Sequence, residues 1–303
     1  MKLLNILKNL IPTRGYISSI TQKLYYDLKA DEYTHLALTS TNRGITNEKY
    51  CDHEIIVSLT TYGKRLHDVY LPIESIMQGS IKPNRIVLWL GEDLNEQTIP
   101  QLLRNQQKRG LEIRFCKDIR SYTKLIPCLK NYPNAAIITI DDDLIYSYDM
   151  VEKLVQAHRQ DPTCICANRV HRILLNKEGR PKSYLNWNLC SNIIGTSPLN
   201  FLTGVGGVLY PPQSLPKETL NESVFLDICP YADDVWFYAM ALKQGTSIRK
   251  IQTCDEKGEE YILNPNVQKM GLFQKNTNKQ DVRNDIQLKA VFNKYNLWTN
   301  LTE

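Results

Sequence analysis

Residues 135–143 of this 303-residue chain have the sequence AAIITIDDD. The apolar run 135–140 predicts a buried strand, and three aspartates follow it directly, Asp141, Asp142 and Asp143. Adjacent carboxylates repel one another and lose hydration when they are buried, so a fold tolerates them where a cation lies among them. Ligands that are all oxygen atoms favour a hard divalent ion such as Mg2+ or Mn2+. The alternative is a solvated acidic turn that caps the next helix.

Strand and helix patterns alternate upstream of this run. They predict strands over residues 54–60, 85–90 and 111–115, and helices over 66–77, 98–108 and about 123–130. Such alternation indicates an α/β fold with a mostly parallel, doubly wound sheet. Ligands of open α/β sheets bind at the carboxyl ends of the strands, which is where the three aspartates lie.

Several common nucleotide and metal motifs are excluded. The chain contains neither G-x-G-x-x-G nor G-x-x-x-x-G-K-[ST]. It therefore lacks the phosphate-binding loops that are usual in dinucleotide-binding and P-loop proteins. An EF-hand loop that began at Asp141 would place Ile145 and Tyr146 where a ligand and a glycine are required.

Composition and cysteine usage restrict the class of protein further. A net charge of +5 suits an anionic small molecule or a membrane surface but is too weak to indicate a nucleic-acid partner. Eight cysteines without a C-x-x-C motif predict reduced thiols in a cytoplasmic protein. Cys164 and Cys166 share one face of a predicted strand, and a zinc pair there is the alternative to core thiols.

We predict three segments along the chain. They are an N-terminal helical extension (1–50), a main domain (51–260) and a C-terminal tail that packs on it (261–303). The apolar positions of residues 1–12 follow helical spacing, but the segment is too short and too polar to span a bilayer. It predicts either peripheral contact with a membrane surface or a small helix packed on the main domain.

Two downstream motifs carry candidate functional residues. Residues 203–207 read TGVGG, and glycines within an apolar run indicate either a bulged strand or a backbone wall against which a sugar ring packs. Asp233 and Asp234 begin a predicted helix that ends near Gly245. As acids of a first turn they suit the helix dipole, with Asp233 as the N-cap, and one of them could also act as a general base.

Four segments in this order resemble a GT-A-type glycosyltransferase of the bacterial capsule or surface-polysaccharide kind, with some likeness to the exostosin-type transferases. The segments are VSLTTYGKR (57–65), IITIDDD (137–143), TGVGGVLYP (203–211) and ADDVWF (232–237). The resemblance covers roughly residues 54–245. It implies a GT-A-like fold, whose mostly parallel nucleotide-binding sheet is flanked by helices and joined to a mixed region on the acceptor side.

The resemblance also implies roles for individual residues. Asp143 corresponds to the main metal ligand, Asp141 to the acid that contacts ribose or metal, and Asp142 to an acid that faces the sugar. Asp233 or Asp234 corresponds to the acidic residue near the acceptor. Of the two we assign the base to Asp234, because a first-turn residue can turn outward whereas a cap is tied to backbone N–H groups. The remaining donor-binding positions lie near the nucleotide base (Thr60, Thr61, Tyr62 and Arg65), near the diphosphate (Lys124) and in the glycine run (Gly206 and Gly207).

One departure from the family pattern concerns the metal. Many members supply a late histidine to it, whereas the last histidine of this chain is His171. Asn264, Asn266 and Lys275 are the substitutes that the later sequence offers for contact with the metal or phosphate.

The expected function is that of a glycosyltransferase dependent on Mn2+ or Mg2+. It would move a sugar from a nucleotide-diphosphate donor, expected to be UDP-linked, to a hydroxyl of a surface, capsular or lipid-linked glycan. A sugar-1-phosphate nucleotidyltransferase is one alternative, but it would require a glycine-rich basic loop after the first strand, and residues 61–65 match that poorly. A non-catalytic carbohydrate-binding protein on a degenerate transferase fold is the other, and the intact acids of both motifs argue against it.

Overall fold

The structure, a computed structural model, describes residues 2–252, 260–265 and 283–301, with side chains from residue 20 onward. Its helices are α1 (Lys2–Thr39), α2 (Tyr70–Met77), α3 (Gln101–Gln107), α4 (Ile126–Asn131), α5 (Met150–Gln160), α6 (Glu222–Ile228), α7 (Asp233–Gln244) and α8 (Arg283–Tyr295). Its strands are β1 (Ile55–Thr60), β2 (Arg85–Gly91), β3 (Leu111–Cys116), β4 (Ala136–Thr139), β5 (Leu144–Tyr146), β6 (Ile165–Ala167), β7 (Val170–Arg172), β8 (Gly195–Thr196), β9 (Asn200–Leu202), β10 (Val208–Tyr210), β11 (Ile248–Lys250) and β12 (Tyr261–Leu263).

Eight of these strands form one sheet in the order β3-β2-β1-β4-β10-β6-β11-β8. The first four run parallel to one another. β10 is antiparallel to both β4 and β6, and β8 is antiparallel to β11, which itself runs parallel to β6. Only β10 and β8 are therefore reversed, and the predicted α/β fold with a mostly parallel sheet and a mixed second half is confirmed.

Two short sheets extend the main one. β12 pairs antiparallel with β5, directly after the aspartate triplet, and β7 pairs antiparallel with β9. Both pairs lie in segments whose sequence is less regular than that of the first half, and neither pairing was predicted.

Both faces of the main sheet are covered by helices. In β1, Ile55, Val57 and Leu59 pack into a cluster with α2, α3 and α5, whereas Ile56 packs into a second cluster with α4, α7 and α8. Successive side chains of a strand point to opposite faces, so a strand buried on both faces reads as a continuous apolar run. The β-branched runs of the sequence follow from this arrangement.

The N-terminal extension forms one long helix, α1. Its Tyr26 and Tyr33 are buried against the domain together with Leu71 of α2, and Ala37 is also buried. The Asn105 side chain of α3 donates a hydrogen bond to the Ala37 carbonyl. The second half of α1 is therefore anchored on α2 and α3.

The predicted helix over 66–77 divides into two pieces. A 3-10 turn covers Gly63–His67, and α2 begins at Tyr70. Pro72 consequently lies in the first turn of α2, where its missing N–H would have no helical acceptor in any case.

The described cysteines are free thiols. Cys254 lies outside the described residues. Among the helices described, none is long and apolar enough to cross a membrane.

Candidate active site

The aspartate triplet forms a turn between β4 and β5 that is fixed at both ends. The Asp141 backbone N–H donates to the hydroxyl of buried Tyr146 at 2.7 Å. The Asn264 backbone N–H donates to the Asp143 carbonyl at 3.0 Å, because β12 pairs alongside β5. Asn264 thus lies beside the triplet through its backbone, while Asn266 and Lys275 fall outside the described residues.

Asp142 is held by residues that follow β1. Thr61 Oγ1 donates to one of its carboxylate oxygens at 2.6 Å, and Arg65 donates to the other at 2.7 Å. Burial raises the pKa of Asp142, while Arg65 and Thr61 oppose that rise. With both oxygens engaged inside the protein, Asp142 acts here as an anchor for the first loop.

Asp143 is the least neutralised member of the triplet. Its side chain is 29% exposed, and within the described residues its one ion pair is with Arg65 at 3.4 Å. Burial, together with Asp141 and Asp142, raises the pKa of Asp143 to about 6. Its surroundings therefore favour the arrival of a further positive charge.

Lys124 connects the triplet with the second acidic pair. It ends the 3-10 turn Arg120–Lys124, where its carbonyl accepts a hydrogen bond from Ser58 of β1 at 2.6 Å. Its ammonium lies 2.9 Å from Asp141 and 3.3 Å from Asp233. Burial alone would lower the pKa of Lys124, but Asp141, Asp233 and Asp234 outweigh it and raise that pKa well above its usual value.

Asp233 and Asp234 open α7, but neither caps it. The N-cap position is Ala232 and no side chain caps the helix, so the predicted capping role of Asp233 is wrong. Asp233 is instead drawn to Lys124, and its buried Oδ2 accepts no hydrogen bond from the residues described. The tertiary ion pair replaces the local capping contact.

Asp234 points toward the glycine turn. Its Oδ1 accepts a hydrogen bond from the Gly204 backbone N–H at 2.9 Å. Burial and the neighbouring Asp233 raise the pKa of Asp234 to about 7, although Lys124 and the Gly204 N–H oppose the rise. A carboxyl group with that pKa can exchange a proton near neutral pH.

The TGVGG stretch is a turn between β9 and β10, not a bulged strand. A Cβ atom at Gly204 would meet Lys124 Nζ at 2.5 Å, so this glycine leaves room for the ammonium. At Gly206, whose φ is +89°, a Cβ would lie against Tyr261 and Asn168. At Gly207, whose φ is +102°, it would meet Met150 of α5, away from the acids.

The structure therefore brings most of the sequence-predicted residues together but leaves others at the margin. Connected by direct contacts are Thr61, Arg65, Lys124, Asp141, Asp142, Asp143 and Asp233, and Asp234 joins them through Gly204. The Thr60 hydroxyl instead donates to the Trp89 carbonyl, and Tyr62 is 67% exposed. Sequence reasoning missed the contacts of Gly204 and Tyr146, and only the TGVGG motif gave a signal for the first.

The carboxylates of this cluster fit a divalent metal ion that takes few of its ligands from the protein. Among the described residues, no group of three or more His, Cys, Asp and Glu side chains is arranged to hold a metal ion. Within the described part of the chain, five carboxylates of this cluster nevertheless share two cations, Lys124 and Arg65. Mg2+ is commonly held by one or two carboxylates, with substrate phosphates and water completing its shell. Asp143 and Asp141 are the residues that fit this description.

Comparison with solved structures gives remote likenesses. S. aureus TarS 1-349 matches with a TM-score of 0.45 and 12% identity over 80% of this chain and 71% of that one. The mannosyltransferase PcManGT from Pyrobaculum calidifontis, in complex with GDP-Man and Mn2+, matches with a TM-score of 0.41 and 11% identity over 78% and 64%. A CMP:2-keto-3-deoxy-manno-octonic acid synthetase complexed with CTP gives 0.39 and 12% over 68% and 93%. No family model and no curated protein matches the chain. Such low scores carry no argument about function.

Proposed function

We propose that this chain is a metal-dependent glycosyltransferase of the GT-A type. It transfers a sugar from a nucleotide-diphosphate donor, which we take to be UDP-linked, to a hydroxyl of a surface or capsular glycan or of a lipid-linked glycan. The observation that carries the proposal is the position of Lys124, whose ammonium contacts Asp141 of the triplet and Asp233 of the second pair. One buried cation thus joins a donor-side and an acceptor-side acid in a single site.

The donor side carries carboxylates whose negative charge a bound cation would balance. Asp143 and Asp141 would hold Mn2+ or Mg2+, which neutralises the charge that develops on the diphosphate as the sugar leaves. Lys124 adds a fixed positive charge beside the same group, and a preorganised charge of this kind costs no reorganisation during the reaction. Asp142, fixed by Thr61 and Arg65, keeps the first loop against the donor.

The acceptor side is arranged around Asp234. Its hydrogen bond from Gly204 aims the carboxylate at the turn between β9 and β10. A raised pKa makes the ionised form a better proton acceptor, so Asp234 would take the proton of the attacking hydroxyl. Free cysteines suit a cytoplasmic site for this reaction, and peripheral membrane contact through α1 would bring it to lipid-linked acceptors.

The first experiment measures UDP binding by calorimetry, with Mn2+ and with EDTA, for the wild type, Asp143→Ala and Asp227→Ala. Asp227 is an exposed acid of α6 and serves as the matched control. We expect Asp143→Ala to lose at least about tenfold in Mn2+-dependent affinity, a change of about 1.4 kcal/mol. The variant should melt at or above the wild-type temperature without ligand, because removing one crowded carboxylate relieves repulsion.

Wild-type UDP affinity that ignores both EDTA and the mutation would contradict the metal role. Turnover then separates the alternatives, with a panel of nucleotide sugars scored for nucleotide release. Formation of pyrophosphate from a nucleoside triphosphate and a sugar 1-phosphate would identify a nucleotidyltransferase. Metal-dependent binding without any turnover would identify a carbohydrate-binding protein.

A further inference from the structure

Arg169 lies at the same edge of the sheet as the acidic cluster. It follows β6, which runs parallel to β4 because β10 is antiparallel to both. Its neighbour Asn168 donates from its backbone to the Gly207 carbonyl at 3.1 Å and from its side chain to the Gly206 carbonyl at 3.3 Å. The Arg169 carbonyl accepts the backbone N–H of Thr203 at 3.2 Å. The backbone that carries Arg169 is thus fixed against the glycine turn.

The guanidinium of Arg169 is partly buried and has no carboxylate partner within the described ranges. Its Nε donates to Cys190 Sγ at 3.2 Å, and sulfur is a weak acceptor. Two other arginines of the core differ in this respect, since Arg65 pairs with Asp142 and Arg109 pairs with Glu74. A desolvated guanidinium without an anion is unfavourable, so its retention points to a ligand.

The side chains described around Arg169 do not include a carboxylate that neutralises it. Burial and the positive charge of Arg169 lower the pKa of His171 to about 3, so this imidazole stays neutral and accepts a hydrogen bond from the Cys190 N–H at 2.9 Å. Burial and Asp234 raise the pKa of Tyr184, while Arg169 opposes that rise. Thr203, whose N–H bonds the Arg169 carbonyl, directly precedes Gly204, whose N–H bonds Asp234, so the backbone of Arg169 lies beside the turn that holds the acceptor-side acid.

We propose that Arg169 binds an anionic group of the acceptor, a carboxylate or a phosphate, and so selects acidic acceptors. The inference rests on the proposed function, because it takes Asp234 to mark the acceptor side. A planar guanidinium matches both anions with paired hydrogen bonds, which a lysine ammonium cannot do. The donor diphosphate is assigned to the other side, at Asp143, Asp141 and Lys124.

Two matched ligand pairs test the proposal. Methyl glucuronide against methyl glucoside tests a carboxylate, and glucose 6-phosphate against glucose tests a phosphate. Binding is measured by ligand-observed NMR with and without UDP and Mg2+, for the wild type, Arg169→Gln, Arg169→Lys and Arg249→Gln. Arg249 is the control, because it is a partly exposed arginine of β11 whose guanidinium bonds only Gln160 among the contacts seen.

We expect the wild type and Arg249→Gln to bind the charged member of at least one pair about tenfold more tightly than the neutral member. Arg169→Gln should lose that preference, Arg169→Lys should keep part of it, and all variants should keep the same UDP affinity. The melting temperature of Arg169→Gln should not fall, because the variant removes an unpaired cation.

The proposal is overturned if the wild type shows no preference in either pair, or if Arg169→Gln retains the preference. Loss of UDP affinity in Arg169→Gln would move the residue to the donor side and also overturn it. If Arg169→Gln does not fold, the test uses Arg169→Lys. A preference for the charged ligand that is as strong in Arg169→Lys as in the wild type would contradict a paired guanidinium contact. Failure of the wild type to bind UDP with Mg2+ would count against the proposed function instead, and the arms without UDP still measure the anion preference.

Discussion

At the scale of single residues, the site depends on charges that the fold places close together. Lys124 is surrounded by Asp141 and Asp233, and Asp142 is held by Arg65. Burial raises the pKa values of Asp143 and Asp234, and the neighbouring carboxylates add to the rise. Perturbed carboxylates in one cluster are typical of functional sites, although structural ion-pair networks perturb pKa values as well.

The pKa of Asp234 leads to a prediction about pH. A general base must be ionised, so kcat/KM for the acceptor should fall about tenfold per pH unit below about pH 7. Asp234→Asn should lose about 100- to 10,000-fold in rate at pH 8 while keeping UDP affinity. Rate profiles of the wild type, Asp233→Asn and Asp234→Asn from pH 5 to 9 measure this. Full activity in Asp234→Asn, or loss confined to Asp233→Asn, would contradict the assignment.

The same group makes a prediction about stability with a defined sign. Its folded-state pKa is raised, so the stability it contributes is present below its ordinary pKa and is lost as the pH rises through about 7. Asp234→Asn lacks this titration. Its melting temperature should therefore exceed that of the wild type by more at pH 8 than at pH 5. An equal difference at both pH values would indicate an Asp234 of ordinary pKa.

At the scale of elements, α1 presents two different faces. Tyr26, Tyr33 and Ala37 are buried against the domain. Ile20, Leu24 and Leu28, spaced four residues apart, are 48%, 57% and 60% exposed. Residues 1–26 contain four basic side chains and no acidic one. An exposed apolar row with basic flanks is typical of a helix that lies on an anionic membrane surface.

We expect the full chain to co-sediment with anionic vesicles, and the double variant Leu24→Ser, Leu28→Ser to pellet less. Binding should weaken with salt, since each lysine or arginine near the surface contributes on the order of 1 kcal/mol. Leu38→Ser is the matched control, an exposed leucine at the end of the same helix. Equal pelleting of all three proteins would show that this exposed apolar row does not bind lipid. A chain without residues 1–12 tests the sequence-predicted contact separately.

At the scale of the whole molecule, the C-terminal helix shares a core with the sheet. Phe292 of α8 is fully buried, and its ring lies 6.3 Å from that of Tyr238 in α7 and 5.0 Å from that of Trp298. Phe292 and Tyr238 belong to the apolar cluster that includes Ile56 of β1, and Trp298 packs against that cluster. The division of the chain at residue 260 stays a prediction, and this shared cluster leads to a test of it.

Phe292→Ala should destabilise the protein by about 3–5 kcal/mol, the usual effect of removing a buried phenyl ring. If 261–303 packs as a tail on the main domain, unfolding of the variant should remain one transition, at a lower denaturant midpoint. Circular dichroism and tryptophan fluorescence during denaturation measure this. Two separate transitions would show that the C-terminal segment unfolds by itself.

The sequence by itself determined the α/β class, the approximate bounds of the early strands and helices, and the acidic triplet at a strand end. These features are local: β-branched runs, helical periodicity and adjacent carboxylates are visible within a few residues. The predicted cap at Asp233 is also a local inference, and it is wrong because an ion pair with Lys124, far away in the sequence, attracts the side chain.

Only the tertiary structure decided how the segments meet. The insertion of β10 between β4 and β6 depends on pairing between distant strands, which no local pattern encodes. That insertion brings the glycine turn, Asp234 and Arg169 to the edge where Asp141 already lies. Because electrostatic interactions depend on distance in space and on burial, the charge of the site follows from the packed sheet and not from the spacing of its residues along the chain.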